Sequence, residues 1–387
     1  MIRLLWLLPC IILYLLLAQY LLSPVYKFPQ PQPFSGQVIY NPYQEADSAH
    51  WLRCNFHVHS NAWFGLTDGS KNNSKDIYNR YHQLGYDVIN ISDYQKINTF
   101  GKDNECYIPV YEHGYGLQKI HQLCLGSDKV SWVDFPIFQN INQKQYLIKT
   151  LKKHNQLVFV AHPKFSRGFS PKDFRYLTGY DGIEVLNHYR NSTEHWDVAL
   201  STGHYAPLLA DDDAHDVTLP PKIARRYTFV NAPSAKQQDV LDAIKAGRTY
   251  GIDDGKPQNI SWEQKIAWMK IVPRLLKATV RNDTFVVAVS DTAAKFRFIG
   301  QNGKVKLEVN KQNKASCLII PSDTYIRTEI SFKDGRTMYL NPIVRNNENK
   351  PPQMQATTIN FFSTWILRMG IAVLLIYVVY YIIRKRR

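Results

Sequence analysis

Arg53-Cys54-Asn55-Phe56-His57-Val58-His59 sets a short apolar run directly against two histidines spaced i, i+2. Residues so spaced on an extended chain share a face, so a strand ending here aims two imidazoles at one place. The arrangement recurs along the chain. Asp87 to Ser92 runs into Asp93, Tyr107 to Tyr111 runs into Glu112, and His121 opens the run Gln122 to Leu125. Leu157 to Ala161 leads to His162, Gly182-Ile183 to Glu184, and Pro207 to Ala210 to the cluster Asp211-Asp212-Asp213-Ala214-His215. These runs are too short and too rich in Val, Ile and Phe to be helices. Helix-like segments separate them: Ser74 to Leu84, Asn142 to His154, a start at Ser170-Pro171-Lys172-Asp173, and Ser234 to Ala246 before Gly247. This is an α/β rhythm. In a parallel α/β barrel the C-terminal strand ends converge on the face where an active site is assembled. Imidazole and carboxylate together are the ligand types for Zn, Mn or Fe, so the expected centre is metallic.

The order of these residues carries more than any one of them. An HxH pair, then Asp, then Glu with a His nine residues on, then Ala-His-Pro, then Asp-x-His resembles the PHP (polymerase and histidinol phosphatase) family over about Asn55 to Tyr250. The resemblance implies a distorted (β/α)7 barrel of PHP type and a metal-dependent phosphoesterase that hydrolyses a phosphate mono- or diester through metal-activated water. Carried across, it makes His57, His59, Glu112, His121, His162, Asp213 and His215 metal ligands, with Asp93 at the second strand end joining the set. Asp68, in Thr67-Asp68-Gly69, resembles the acidic position after HxH at a lengthened spacing. The implied cofactor is divalent metal, two ions of Zn, Mn or Fe. His162 and His215 are the candidates for proton donation to the leaving oxygen. Lys164 and Arg167, just after Ala161-His162-Pro163, are candidate phosphate clamps. Glu184 matches a recurrent family segment in which it supports the site without binding metal. One position departs from the pattern, since Ser92-Asp93-Tyr94 stands where the family has Thr-Asp-His, and a reduced metal set is the expected consequence. A barrel amidohydrolase, and a degenerate barrel serving as receptor or scaffold, are the competing readings.

Outside this half, the 387-residue chain changes character. After about Gly255, segments such as Phe285 to Val289, Lys304 to Val309, Cys317 to Ile320 and Thr328 to Phe332 alternate or run apolar. With turns at Asn302-Gly303 and Asp334-Gly335, they predict a small antiparallel β-domain over 255–350 after a catalytic unit over 46–254. Residues 23–45 hold five prolines and read as an extended spacer. Both ends are apolar. Leu4 to Leu22 carries no charge and would span roughly 28 Å as a helix. Phe361 to Ile383 carries only Arg368 and ends in the basic tail Arg384 to Arg387. The expectation is a transmembrane helix at each end, a lipid bilayer as partner, and a catalytic part outside the cytoplasm.

Without the six terminal cations, 41 Lys and Arg face 32 acids, a charge of +9. That excess suits a phosphorylated substrate, while the absence of any run of like charge gives no nucleic-acid groove. Five cysteines without CxxC spacing leave a Cys106 to Cys124 disulfide open as one pairing.

Overall fold

The computed structural model describes residues 18–386 apart from 67, 68, 70 and 256–258. The chain begins with short strands β1 (Tyr26–Lys27) and β2 (Val38–Tyr40), then β3 (Trp51–Asn55), α1 (Ser74–Gln83), β4 (Val88–Ile89), β5 (Val110–His113) and β6 (Gln122–Ser127). It continues through α2 (Ile141–Leu151), β7 (Asn155–Val160), β8 (Gly182–Asn187), α3 (Thr193–Ser201), β9 (Leu208–Asp211), β10 (Arg226–Asn231), α4 (Gln237–Ala246) and β11 (Thr249–Asp253). The last part comprises α5 (Trp262–Lys270), β12 (Leu275–Arg281), β13 (Thr284–Gly300), β14 (Lys304–Leu318), β15 (Tyr325–Phe332), β16 (Thr337–Asn346), β17 (Thr358–Ile359) and α6 (Phe361–Arg386).

Local sequence explains the helix ends. The Asn73 side chain accepts from Asp76 N and caps α1, Asn140 and Gln143 form a reciprocal capping box on α2, and α4 stops where Gly247 turns left-handed at φ 78°. The expected start at Ser170 is found, with Ser170 N donating to Asp173 Oδ2 at 2.9 Å, but the turn it opens is the short 3-10 helix Pro171–Arg175.

The architecture turns on β3. One edge pairs antiparallel with β10, Cys54 opposite Thr228, and the other pairs parallel with β4, Cys54 opposite Val88. With both edges taken, β3 offers nothing to β9, which ends a separate five-stranded sheet in the order β5-β6-β7-β8-β9. Within that sheet β5, β6 and β7 pair antiparallel, and only β7-β8 and β8-β9 are parallel. The expected (β/α)7 barrel is therefore corrected: the described strands close no barrel. Among the described residues two single parallel bridges join the sheets, Val58 with Ala214 and Tyr94 with Glu112, both beside candidate ligands, and side chains join them elsewhere, as where Thr228 Oγ1 accepts from Ala210 N at 2.9 Å.

The other sheet has ten strands and runs from β4 and β3 through β10, β11 and β16 to β15, β13 and β12. Tyr250 on β11 lies opposite Leu340 on β16, so the position 254/255, expected to separate two domains, falls inside one sheet. The largest apolar cluster likewise joins Val58, Tyr81 and Tyr227 to Phe285, Phe296 and Met338. Residues 23–45 are docked rather than free: β1 pairs with β17, β2 with β16, and Phe34 and Tyr40 are buried.

The expectation of a transmembrane helix at each end is overturned as far as the described residues reach. Among the described residues no helix is long and apolar enough to cross a membrane. The first run lies outside the described residues up to residue 17, leaving only helical residues 18–22. In α6 the described side chains include Ser363, Thr364 and Arg368, and its first turns are tied to the protein body. Thr364 Oγ1 accepts from Val25 N at 3.0 Å, and Arg368 Nη2 donates to Leu22 O at 3.0 Å. Cys54, Cys106, Cys124 and Cys317 are free thiols, so Cys106 and Cys124 form no disulfide.

Candidate metal centre

The extended chain leaving β3 places the His57 and His59 rings 5.2 Å apart, both buried, as the i, i+2 spacing requires. Hydrogen bonds hold this segment to the Asp211–His215 turn: Phe56 N to Asp211 Oδ1 at 2.8 Å, Asp213 N to His57 O at 2.9 Å, and His59 N to Ala214 O at 3.0 Å. Asp213 adopts φ 48° and His162 φ 27°, left-handed conformations that non-glycine residues rarely take. Such strain persists where surrounding contacts over-determine the backbone, and here it aims two functional side chains.

Glu112, in the middle of β5 and fully buried, links everything. Its Oε2 lies 3.1 Å from His59 Nε2 and 3.3 Å from His57 Nε2. Its Oε1 lies 2.6 Å from His121 Nδ1 and 3.0 Å from His162 Nε2. Asp213 Oδ1 completes the first side at 3.1 Å from His59 Nε2 and 3.4 Å from His57 Nε2. Two groups of ligand atoms result, each within 4.8 Å: His57, His59, Glu112 and Asp213, and then Glu112, His121 and His162.

The donor chemistry fits metal ions. His57 Nε2 and Glu112 Oε2 are buried with no hydrogen-bond partner, although they face each other. His57 Nδ1 is engaged by Glu184 Oε1 at 2.9 Å, which leaves Nε2 facing the centre as the atom that would bind a metal. Burial alone would raise Glu112, but the charges of His121 and His57 and hydrogen bonds from His121 and His162 hold it well below the usual carboxylate range. Asp213 is lowered in the same way against burial, chiefly by His57, His215 and His59. Burial would lower His59, yet the Asp213 and Glu112 carboxylates beside it raise it to about 9. Imidazolium protons thus balance buried carboxylates where divalent cations would do so more strongly.

Other residues fall outside these groups. His215 stacks on His59 with ring centroids 4.5 Å apart, and its Nε2 lies 3.2 Å from Asp213 Oδ1 at the partly exposed edge. Asp93 is buried but does not join the converging atoms: Ser60 N and Oγ donate to Oδ1 at 2.7 and 2.8 Å, and Asn98 Nδ2 to Oδ2 at 2.9 Å. Its assignment as a ligand is corrected to that of a carboxylate organising the loop after His59. Asp68 lies outside the described residues. Lys164 and Arg167 are exposed on the turn after His162. Tyr94 presents its ring face to His59 at 4.2 Å and 18°.

Sequence reasoning missed Asn187, whose Nδ2 reaches Glu184 Oε2 at 3.2 Å and Asp213 Oδ2 at 3.3 Å. No spacing signals it, because it sits three residues beyond Glu184 on an otherwise apolar strand. Glu184 also accepts from His162 N at 2.7 Å, so one carboxylate orients a residue in each group.

No protein-family model and no curated protein matches the chain. Among solved structures, a two-domain protein from Bacteroides vulgatus containing a predicted PHP-like metal-dependent phosphoesterase is similar over 86% of this chain and 100% of its own. The identity is 12% and the TM-score 0.40.

Proposed function

We propose that this chain is a metal-dependent phosphoesterase of the PHP type, hydrolysing a phosphate mono- or diester. The observation that carries the reading is the buried Glu112 carboxylate shared between two sets of ligand atoms, one with His57, His59 and Asp213 and one with His121 and His162. The ordered motif series from His57 to His215 supports the same class. Two divalent ions held there would supply Lewis acidity toward water and toward the phosphoryl oxygens. The chain's own residues do the rest. Glu184 and Asn187 keep His57, His162 and Asp213 oriented, and the Tyr94 and His215 rings both pack against His59. His162 is engaged with Glu112, so the partly exposed His215, beside Asp213, is the better placed group to pass a proton to the leaving oxygen. Lys164 and Arg167 offer cations to phosphoryl oxygens from the adjacent turn.

The test is phosphate release from a panel of phosphomonoesters and diesters by the full chain. Activity should stop with chelator, return with Mn or Zn, and be abolished by Asp213→Ala. Hydrolysis of amides instead, with no phosphate released, would favour the amidohydrolase reading.

A further inference from the structure

The mouth of the metal centre is apolar in a way that a soluble phosphate ester does not require. Trp63 Nε1 donates to the backbone O of Tyr94 at 2.7 Å, which ties the turn Trp63–Gly65 to the residue whose ring stacks on His59. In that turn Trp63 and Phe64 take φ 56° and 58°, left-handed conformations unfavourable for aromatic residues. The result projects Phe64 wholly into solvent, with Leu66 at 87% exposure beside it. Trp132, exposed, meets Trp63 at 5.9 Å between ring centroids, and Tyr115 OH binds Trp132 O at 3.0 Å. Leu117, on the same loop as Tyr115, is 81% exposed. The face then continues away from the site: Tyr20 packs on exposed Phe138 at 5.0 Å, and Arg368 bonds Leu22 O, bringing in the first turns of α6 with exposed Phe361, Phe362 and Trp365. A contiguous apolar face of this kind marks an interaction surface.

Charge selects the occupant. Segments 63–66, 114–120, 163–168 and 188–191 contain Lys119, Lys164, Arg167 and Arg190, all exposed, and no acid. Lys119 Nζ lies 6.0 Å over the Tyr94 ring and the Arg190 guanidinium 5.9 Å over Phe165, whose ring is 5.5 Å from His162. Cations at the mouth set among outward aromatic and aliphatic side chains complement a surface that is anionic at its headgroups and apolar below them.

We infer that the chain docks by this rim on a lipid surface and that the ester it takes is a phosphate carried on a lipid. This deepens the phosphoesterase reading and rests on it. Hydrolysis would bond the water oxygen to phosphorus, break the bond from phosphorus to the lipid oxygen, and leave the water's proton on that oxygen, so the lipid alcohol stays in the bilayer.

The test uses the full chain with vesicles of phosphatidylcholine containing phosphatidic acid. A polarity-sensitive fluorophore is attached at Phe64→Cys in a Cys10→Ser, Cys106→Ser background. Its emission should shift to the blue and be quenched by lipids bearing a quencher in their acyl chains. The triple variant Phe64→Ser, Leu66→Ser, Leu117→Ser should lose at least about tenfold in hydrolysis of the vesicle ester, and keep its rate on a water-soluble phosphomonoester. A probe that stays in water while the chain is on vesicles, or a triple variant equally active on the vesicle ester, overturns the proposal. If the unaltered protein hydrolyses no ester at all, the phosphoesterase reading and the lipid substrate fall together, and the probe alone then decides the docking.

Discussion

Glu112 serves two sets of ligands because its oxygens point opposite ways, and a single substitution can therefore test both. Glu112→Gln keeps the shape but replaces one oxygen by an amide nitrogen, which has no lone pair to give a cation, and leaves the other as an uncharged carbonyl oxygen, a much weaker ligand. Metal analysis should show both tight sites lost, whereas His121→Ala should empty only one. His59 makes a second prediction. Burial would lower it, but Asp213 and Glu112 raise it to about 9 in the metal-free protein. Its contribution to metal-free stability is fully present below its ordinary value of about 6.5 and is lost as pH rises through about 9. Glu112 and Asp213 are depressed, so theirs is present above the ordinary carboxylate range and is lost as pH falls. At pH 7.5 metal loading must expel the His59 proton, so titration calorimetry in buffers of different ionisation enthalpy should show at least one proton released. Tyr94 gives a third. Because its ring stacks on His59, Tyr94→Phe should retain metal content and activity within about tenfold, whereas Tyr94→His should add to the metal bound.

The elements hold these side chains in place through close backbone packing. Gly182 starts β8 between β7 and β9, and a methyl group there would run into the Phe159 ring and the Pro207 carbonyl. Gly182→Ala should destabilise the protein by about 1–3 kcal/mol in denaturant unfolding, since the obstructing carbonyl belongs to the backbone and cannot turn aside. Glu184 is two residues along the same strand and orients His57 and His162, so the variant should also bind metal more weakly. Helices α1, α2 and α4 were legible in the sequence, with Gly247 marking the end of α4, whereas α3 and α5 were not foreseen. Strand pairing was less legible. Nothing in Trp51 to Asn55 says that β10 will occupy the edge that a closed barrel would have given to β9.

At the scale of the molecule, one sheet and one apolar cluster join the ligand-bearing part to the C-terminal strands, and a buried ionic network secures the joint. Arg336, fully buried, donates to Asp254 Oδ1 at 3.1 Å, to Trp268 O at 2.6 Å and to Ile271 O at 2.7 Å, while Lys265 Nζ meets Asp254 Oδ2 at 3.1 Å. Removing Arg336 leaves Asp254 paired with Lys265 but takes a charged donor from Asp254 and from the Trp268 and Ile271 carbonyls, at about 1–3 kcal/mol for each such bond. Arg336→Ala should therefore lower the stability of the whole chain, and Trp fluorescence and far-UV circular dichroism should still report one coincident transition. Two separated transitions would show that the halves fold independently.

The sequence by itself determined the identities and order of the groups at the centre. His57, His59, Glu112, His121, His162, Asp213 and His215 each follow or open a short apolar run, and a strand's end is fixed by local chemistry. Tertiary structure alone decided which of them converge. Asp93 has the same signature as Asp213, but Ser60 and Asn98 hold its carboxylate, and those partners are distant or unremarkable in sequence. Asn187 joins the centre with no signal at all. The open architecture was likewise beyond local reading. Each strand has two edges and an apolar pattern specifies the face it buries, not the neighbour it pairs with, so only the folded chain gives β10 and β4 the edges of β3.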